Sequence, residues 1–100
     1  MPEQNKPRRL RKPKDDQVLG KVLELLGADR LRVKCEDGNE RTVRIPGRLK
    51  KRVWVNRDDI VIVEPWDIES DKKGDMVWRY NRNKIPALKK KGYLKRISVS

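Results

Sequence analysis

The sequence predicts an all-β fold in which five short strands close into a small Greek-key barrel, with a short C-terminal helix and flexible basic termini. Three observations support this. Short apolar runs are separated by turn residues, the second and third runs alternate in polarity, and a break after the third run and a long polar loop after the fourth interrupt the series. These features outline the oligonucleotide-binding (OB) fold, although strand count leaves a five-stranded barrel of the SH3 type open.

The first three strands follow from short apolar runs. Residues 18–26 predict the first strand, in which Gly20 marks a bend or bulge that lets a strand turn the corner of a small barrel. Residues 30–35 alternate strictly and predict the second. The Asp-Gly pair at 37–38 predicts a hairpin turn, and residues 42–45 alternate again as the third strand. Paired in this way, the two strands present their cations outward: Arg30, Arg32, Lys34 and Arg44.

A cationic segment follows within the run RIPGRLKKRVW at 44–54. Pro46 and Gly47 interrupt the strand pattern, which predicts a loop or a single helical turn. Four cations then fall within five residues: Arg48, Lys50, Lys51 and Arg52. We call residues 46–52 the basic turn and predict that it contacts phosphates. Trp54, beside these cations, is a candidate platform on which a base stacks.

The second half of the chain predicts two more strands. Residues 53–55 continue the apolar pattern, and after a turn residues 60–63 read as a buried fourth strand that Pro65 ends. A polar loop over 67–75 leads to a fifth strand at 76–80.

The helix is predicted between Asn83, as its N-cap, and Lys91. Pro86 falls in the first turn, where its missing N–H is tolerated, and Gly92 stops the helix. Ile85 and Leu88 form the face expected to dock on the barrel.

The formal charge of +12 is concentrated at the chain ends. Residues 1–16 carry six cations against three acids and predict a disordered basic N-terminal tail. Residues 17–81 carry fourteen cations against twelve acids and are the predicted RNA-binding barrel. Residues 82–100, the helix and a basic tail, carry seven cations and no acid. A nearly balanced body with cationic ends is typical of proteins that bind a polyanion.

Several functional classes are disfavoured by composition. Histidine is absent, and Cys35 is the single cysteine, predicted to be buried with its aliphatic neighbours. The acids lie mostly at turns, where carboxylates cap backbone, so no metal, cofactor or catalytic group is predicted. The protein is not expected to be an enzyme. No apolar run approaches membrane-spanning length, which predicts a cytoplasmic protein without membrane association.

The aromatic residues define the kind of RNA expected. The chain lacks Phe, and Trp66, Trp78 and Tyr80 lie in apolar contexts that predict packing in the core or at a barrel end. The outward face of the second and third strands would then carry no ring for stacking. Such a face suits the phosphates and shape of folded RNA better than unstructured single strands.

Five segments carry a resemblance to a known family. They are GKVLELLGADRLRVKCEDG at 20–38, RIPGRLKKRVWV at 44–55, DDIVIVEPWDI at 58–68, VWRY at 77–80 and GYL at 92–94. Together they cover most of the chain, and they occur in the family's order. Residues 18–94 thereby resemble the archaeal members of the translation initiation factor 1A family.

The resemblance implies an S1-like OB barrel that binds the small ribosomal subunit at the aminoacyl site, promotes ribosome dissociation and stabilises initiator methionyl tRNA binding. Implied partners of this monomer are the subunit RNA, other initiation factors and, indirectly, initiator tRNA. Eukaryotic members contact an initiation GTPase through an acidic tail, whereas this chain ends in the basic KRISVS. The residues implied to meet RNA are Arg32, Lys34, Arg44, Arg48, Lys50, Lys51, Arg52 and Trp54.

Two alternatives stay open. A general RNA chaperone would use the same barrel. An adaptor would instead bind an acidic protein or an anionic membrane surface through its basic tails.

Overall fold

The computed structural model describes residues 11–50, 54–95 and 97, and five strands form its body. The strands are β1 (Val18–Gly27), β2 (Arg30–Cys35), β3 (Glu40–Arg44), β4 (Ile60–Pro65) and β5 (Lys73–Arg79). A single helical turn, α1 (Gly47–Lys50), follows β3. A 3₁₀ turn (Arg82–Lys84) and the helix α2 (Ile85–Lys90) follow β5. None of the helices in these ranges is long and apolar enough to span a bilayer.

The strands close into a barrel in the order β1-β2-β3-β5-β4. β4 returns to pair with β1, and all neighbours are antiparallel except β3 and β5, which run parallel. Consecutive antiparallel pairing, as in a barrel of the SH3 type, would place β4 beside β3. Here β5 lies between them, so the prediction of a five-stranded OB barrel with a short C-terminal helix is confirmed.

β1 turns the corner of the barrel. Its residues 18–21 pair with β4, and residues 20–27 pair with β2. The register slips twice, between Val22 and Glu24 and between Leu25 and Gly27, so the irregularities lie after the corner and not at Gly20. Gly20 has a different role, because a Cβ there would lie 2.3 Å from Cγ1 of Val33. Close approach of β1 to β2 therefore requires glycine at the corner.

Two apolar clusters stabilise the fold, one on each side of β4. Val61 and Val63 point into the barrel, whereas Ile60 and Ile62 face the layer formed by α2. The predicted docking face of the helix is confirmed, because Leu88 is fully buried and Ile85 packs beside it. A strand buried on both faces reads as an unbroken apolar run.

Two predicted boundaries are corrected. β5 begins at Lys73, three residues before the predicted start, because its first residues pair in parallel with β3. Asn83 does not cap the helix, since it lies within the 3₁₀ turn and no side-chain cap is formed. Pro86 lies in the first turn of α2 as predicted, and Gly92, at a φ of +83°, follows the helix end.

The segments before β1 and after α2 contact the barrel where they are described. The Tyr80 hydroxyl donates to the carbonyl of Arg11, whose guanidinium lies 4.5 Å from the centre of the Trp78 ring. Glu36 accepts the N–H groups of Lys95 and Ile97 at 3.0 and 2.9 Å. Most of the two predicted tails, residues 1–10, 96 and 98–100, lies outside the described residues.

Candidate nucleic-acid interface

The basic turn begins as the single helical turn that its Pro-Gly start predicted. The Leu49 N–H donates to the Pro46 carbonyl at 2.9 Å, and the Leu49 side chain packs against the barrel core. The Ile45 N–H donates to the Asp29 carbonyl at 2.8 Å, which ties the turn to the β1–β2 hairpin. Arg48 is left exposed. The side chain of Lys50, and all of Lys51 and Arg52, lie outside the described part of the chain.

An open cleft of ≈350 Å³ separates the basic turn from the β1–β2 hairpin. The lining residues are Ala28, Asp29, Arg30, Arg44, Ile45, Pro46 and Gly47. Arg30 and Arg44 are register partners across β2 and β3. Arg30 was not among the predicted site residues, although its place in the alternation put it on the same face. Arg30 and Arg48 make no ion pair with any described residue, so their charge is available to a ligand.

The predicted cations of the strand face are brought together, but each has a partner. Arg44 donates through Nε and Nη2 to the two carboxylate oxygens of Asp75, at 3.1 and 3.2 Å. Arg32 lies 3.5 Å from Glu24 and 3.9 Å from Glu40. The ammonium of Lys34 donates to the Gly38 carbonyl at 3.2 Å. We call the outward surface of β2, β3 and β5 that carries these pairs the strand face.

These surface pairs do not prevent ligand binding. Exposed ion pairs contribute about 0–1 kcal/mol each, so an RNA phosphate competes with the carboxylates on favourable terms. The cations of the strand face are therefore less available to an anion than Arg30 and Arg48.

Trp66 and Trp78, for which the sequence predicts packing in the core or at a barrel end, do not lie in the core. Trp66 is 36% exposed and Trp78 40% exposed, whereas Tyr80 is buried as predicted. Indole needs an acceptor for its N–H when it packs, and Trp66 finds one at the surface, where Nε1 donates to Asp75 at 3.0 Å. Trp54 is 86% exposed. Trp66, which contacts Asp75 and Arg44, therefore places an aromatic ring beside the strand face. The sequence predicted no ring there.

Arg41 is a buried cation that the sequence prediction did not identify. It is 4% exposed, and Nη1 and Nη2 donate to Asp37 at 3.0 and 2.8 Å while Nε donates to the Ser70 carbonyl at 2.6 Å. The available signal was alternation, because position 41 shares the inward face with Val43. Arg41 thus joins the β2–β3 turn to the loop before β5, which is a structural role.

The pKa values near Arg41 reflect burial and hydrogen bonding. Burial opposes ionisation of Asp37, but the hydrogen bonds from Arg41 and Asn39 outweigh it and hold the pKa of Asp37 below its ordinary value. Burial raises the pKa of the Cys35 thiol. A buried, protonated thiol is not a nucleophile at neutral pH, in line with the predicted role of Cys35 as a small apolar residue.

The site has the chemistry of an anion-binding surface. In the described ranges, no group of three or more Cys, Asp or Glu side chains is arranged to hold a metal ion. Asp59, the one acid buried among the described residues, accepts the Asn56 N–H at 2.8 Å and so stabilises a turn. What the surface offers a ligand is guanidinium groups around an open cleft and exposed indole rings.

Comparison with known proteins gives consistent matches. The family model described as translation initiation factor 1A / IF-1 matches residues 7–99. A translation initiation factor 1A from Haloquadratum walsbyi is 51% identical over 86 residues, which cover 86% of this chain and 88% of that protein. One from Methanococcus maripaludis is 50% identical over 90 residues, covering 88% and 86%. The solution structure of a translation initiation factor from the Wolbachia endosymbiont of Brugia malayi matches with a TM-score of 0.51 and 28% identity, over 66% of this chain and 78% of that one.

Proposed function

Because this chain belongs to the translation initiation factor 1A / IF-1 family, a family of initiation factors and not of enzymes, we propose that it binds the small ribosomal subunit near the aminoacyl site. Bound there, it promotes dissociation of ribosomes into subunits and stabilises the binding of initiator methionyl tRNA. It acts in the cytoplasm as a monomer, together with other initiation factors, and its effect on the tRNA is indirect.

The observation that carries this proposal is the cleft between the basic turn and the β1–β2 hairpin. Arg30 lines the cleft, and Arg48 directly follows the lining residue Gly47. Neither arginine makes an ion pair with any described residue, and the adjoining sequence adds Lys50, Lys51 and Arg52. Available cations on a concave surface suit the closely spaced phosphates of a folded RNA. Trp54, two residues after Arg52 in the sequence, has an exposed ring.

The proposed mechanism is occupancy of an RNA site, with no bond made or broken. The basic turn enters a groove of ribosomal RNA, while Arg32, Lys34 and Arg44 of the strand face contact the flanking backbone. Occupancy excludes premature entry of tRNA. A ligand shifts a conformational equilibrium only through its different affinities for the two states, so the factor must bind the initiation-competent subunit more tightly than the alternative state.

Replacement of the four turn cations tests this proposal. We expect the variant Arg48→Ala, Lys50→Ala, Lys51→Ala, Arg52→Ala to bind purified small subunits about 100-fold more weakly. The slope of log affinity against log salt concentration should become less steep by about three units. Binding is measured by fluorescence anisotropy of labelled protein at several salt concentrations. Thermal unfolding followed by circular dichroism verifies that the barrel is intact.

A matched control removes the same number of charges from the C-terminal helix region, through alanine at Lys84, Lys89, Lys90 and Lys91. An equal loss of affinity in this control would show that net charge matters and the basic turn does not. Chemical footprinting of the subunit RNA, with and without the factor, then locates the contact. Protections remote from the aminoacyl site would contradict the proposed position.

General RNA binding, as in an RNA chaperone, is a second candidate function. The exposed rings Trp54 and Trp66 favour it, since indole rings stack on bases of any sequence. Comparable affinity for small subunits and for an unrelated single strand of similar length would support this candidate over the ribosomal one.

A further inference from the structure

Trp66 lies at the edge of the strand face in a fixed arrangement with charged groups. Its Nε1 donates to Oδ1 of Asp75 at 3.0 Å, and the same carboxylate accepts both hydrogen bonds from Arg44. The guanidinium carbon of Arg44 lies 5.8 Å from the ring centre, and the ammonium of Lys73 lies 5.7 Å from it. Asp75 therefore orients the ring and, in the absence of RNA, pairs with Arg44.

We propose that Trp66 is the stacking platform for one unpaired nucleobase of an RNA ligand, with Arg44 and Lys73 binding the phosphates on either side of that nucleotide. This inference deepens the proposed function, from which it takes RNA as the ligand class. It assigns a base-binding subsite to a part of the surface where the sequence predicted phosphate contacts only.

The ring is preorganised and accessible at the same time. The hydrogen bond to Asp75 limits rotation of the indole, so little conformational freedom is lost when a base stacks on it. More than a third of the residue remains exposed. Both cations lie near the 6 Å limit of a cation–π contact, so they interact weakly with the ring and are able to turn toward a phosphate.

The charges around the ring favour a base over a phosphate directly above it. The Asp75 carboxylate repels an anion at its own edge of the indole. Arg44 and Lys73, which is paired with Glu69 at 3.5 Å, lie over the ring at 5.8 and 5.7 Å from its centre and supply the positive charge that a neighbouring phosphate requires. Exposed pairs of this kind are weak enough for RNA phosphates to compete with the carboxylates.

The two other tryptophans are less suited to this role. One side of the Trp78 ring is covered by the guanidinium of Arg11, 4.5 Å from its centre, and the Tyr80 hydroxyl holds the Arg11 carbonyl. Trp54 is more exposed than Trp66, and no hydrogen bond or ring contact to a described residue orients it. A free ring loses more entropy on stacking than an oriented one.

Two RNA hexamers with equal charge test the proposal: hexaadenylate and a hexamer of abasic ribose phosphates. We expect Trp66→Leu to weaken hexaadenylate binding about tenfold and to leave binding of the abasic hexamer unchanged. The slope of log affinity against log salt should not change, because no phosphate contact is removed. Trp78→Leu is the matched control and should bind both hexamers like the unmodified protein.

Fluorescence identifies the ring directly. In a variant with Trp54→Phe and Trp78→Phe, emission comes from Trp66, and hexaadenylate should quench it while the abasic hexamer does not. Trp66→Phe, which keeps an aromatic face, should restore most of the affinity. Melting curves confirm folding, and this variant remains informative if Trp66→Leu unfolds.

Each outcome separates the inference from the proposed function. Unchanged hexaadenylate affinity in folded Trp66→Leu, or equal loss for both hexamers, would overturn the base platform. Loss of small-subunit binding without loss of hexaadenylate binding would also overturn it and point to a protein contact. If the unmodified protein fails to bind small subunits while the base-dependent loss is observed, the proposed function fails and the platform stands.

Discussion

The strand face and the basic turn both carry several cations in the sequence, yet those cations differ in their availability to a ligand. On the strand face, Arg32 and Arg44 lie against carboxylates and Lys34 donates to a carbonyl. At the turn and the hairpin beside it, Arg48 and Arg30 make no ion pair with any described residue. The comparison shows that the local density of Lys and Arg does not measure the charge that a ligand meets.

The difference arises from strand pairing. Register places Asp75 of β5 opposite Arg44 of β3, and Glu40 opposite Lys34, so cations and acids become cross-strand neighbours. Register places Arg30 opposite another cation, Arg44, and a turn that leaves the sheet has no strand opposite it. We therefore expect paired cations to affect stability or specificity, and unpaired ones to affect affinity.

The ion pair between the buried Arg41 and the partly exposed Asp37 is the least exposed of these pairs, and its loss should give the largest effect. We expect Asp37→Asn to reduce the free energy of unfolding by about 2 kcal/mol, less than the 3–5 kcal/mol of a fully buried pair because Asp37 is partly exposed. Urea unfolding measures the change, with Asp71→Asn as the control at an exposed loop carboxylate. An Asp37→Asn variant as stable as this control would contradict the structural role of the pair.

The same pair predicts a pH dependence. The pKa of Asp37 is lowered in the folded protein from its ordinary value of 3.8, so its contribution to stability is complete above that value. It is lost as pH falls through the lowered pKa. Between about pH 5 and pH 2 the stabilities of the unmodified protein and Asp37→Asn should therefore converge. Parallel curves over that range would show that the ionised carboxylate is not what stabilises this end of the barrel.

Single substitutions compare an unpaired with a paired cation directly. Arg48→Ala should weaken small-subunit binding about tenfold and reduce the salt slope by about one unit, as expected for loss of one phosphate contact. Arg44→Ala should weaken small-subunit binding less, because Arg44 must break its hydrogen bonds to Asp75 before it can contact a phosphate. Anisotropy titrations at four or more salt concentrations give both quantities. Equal losses would remove the distinction between the two regions.

Freeing Arg44 from its ion pair should raise RNA affinity slightly. Asp75→Asn keeps an acceptor for the Trp66 N–H but removes the charge that holds Arg44. We expect RNA affinity to rise about threefold at low salt, the equivalent of one weak surface ion pair. Weaker binding by this variant would mean that Asp75 positions Arg44 for RNA instead of competing with it.

The sequence predicted features that depend on neighbouring residues better than features that depend on residues distant in the chain. The alternation of Leu31, Val33 and Cys35, all buried, follows from the pleat of a single strand. Pro46 and Gly47 predicted the turn that carries Arg48 by local backbone chemistry. The exposure of Trp66 was not predicted, because the acceptor of its N–H, Asp75, lies nine residues away on β5. The start of β5 was missed because it pairs in parallel with a strand about thirty residues earlier.

Residue order alone was enough to predict the strands, the corner glycine, the basic turn, the docking face of the C-terminal helix and the family. Each depends on periodicity, on a backbone preference or on residue identity at neighbouring positions. Closure of the barrel determined which cations are paired with acids, which tryptophan rings are exposed and where Arg41 is buried. Those outcomes require partners from separate strands, and only barrel closure and register bring such partners within hydrogen-bond distance.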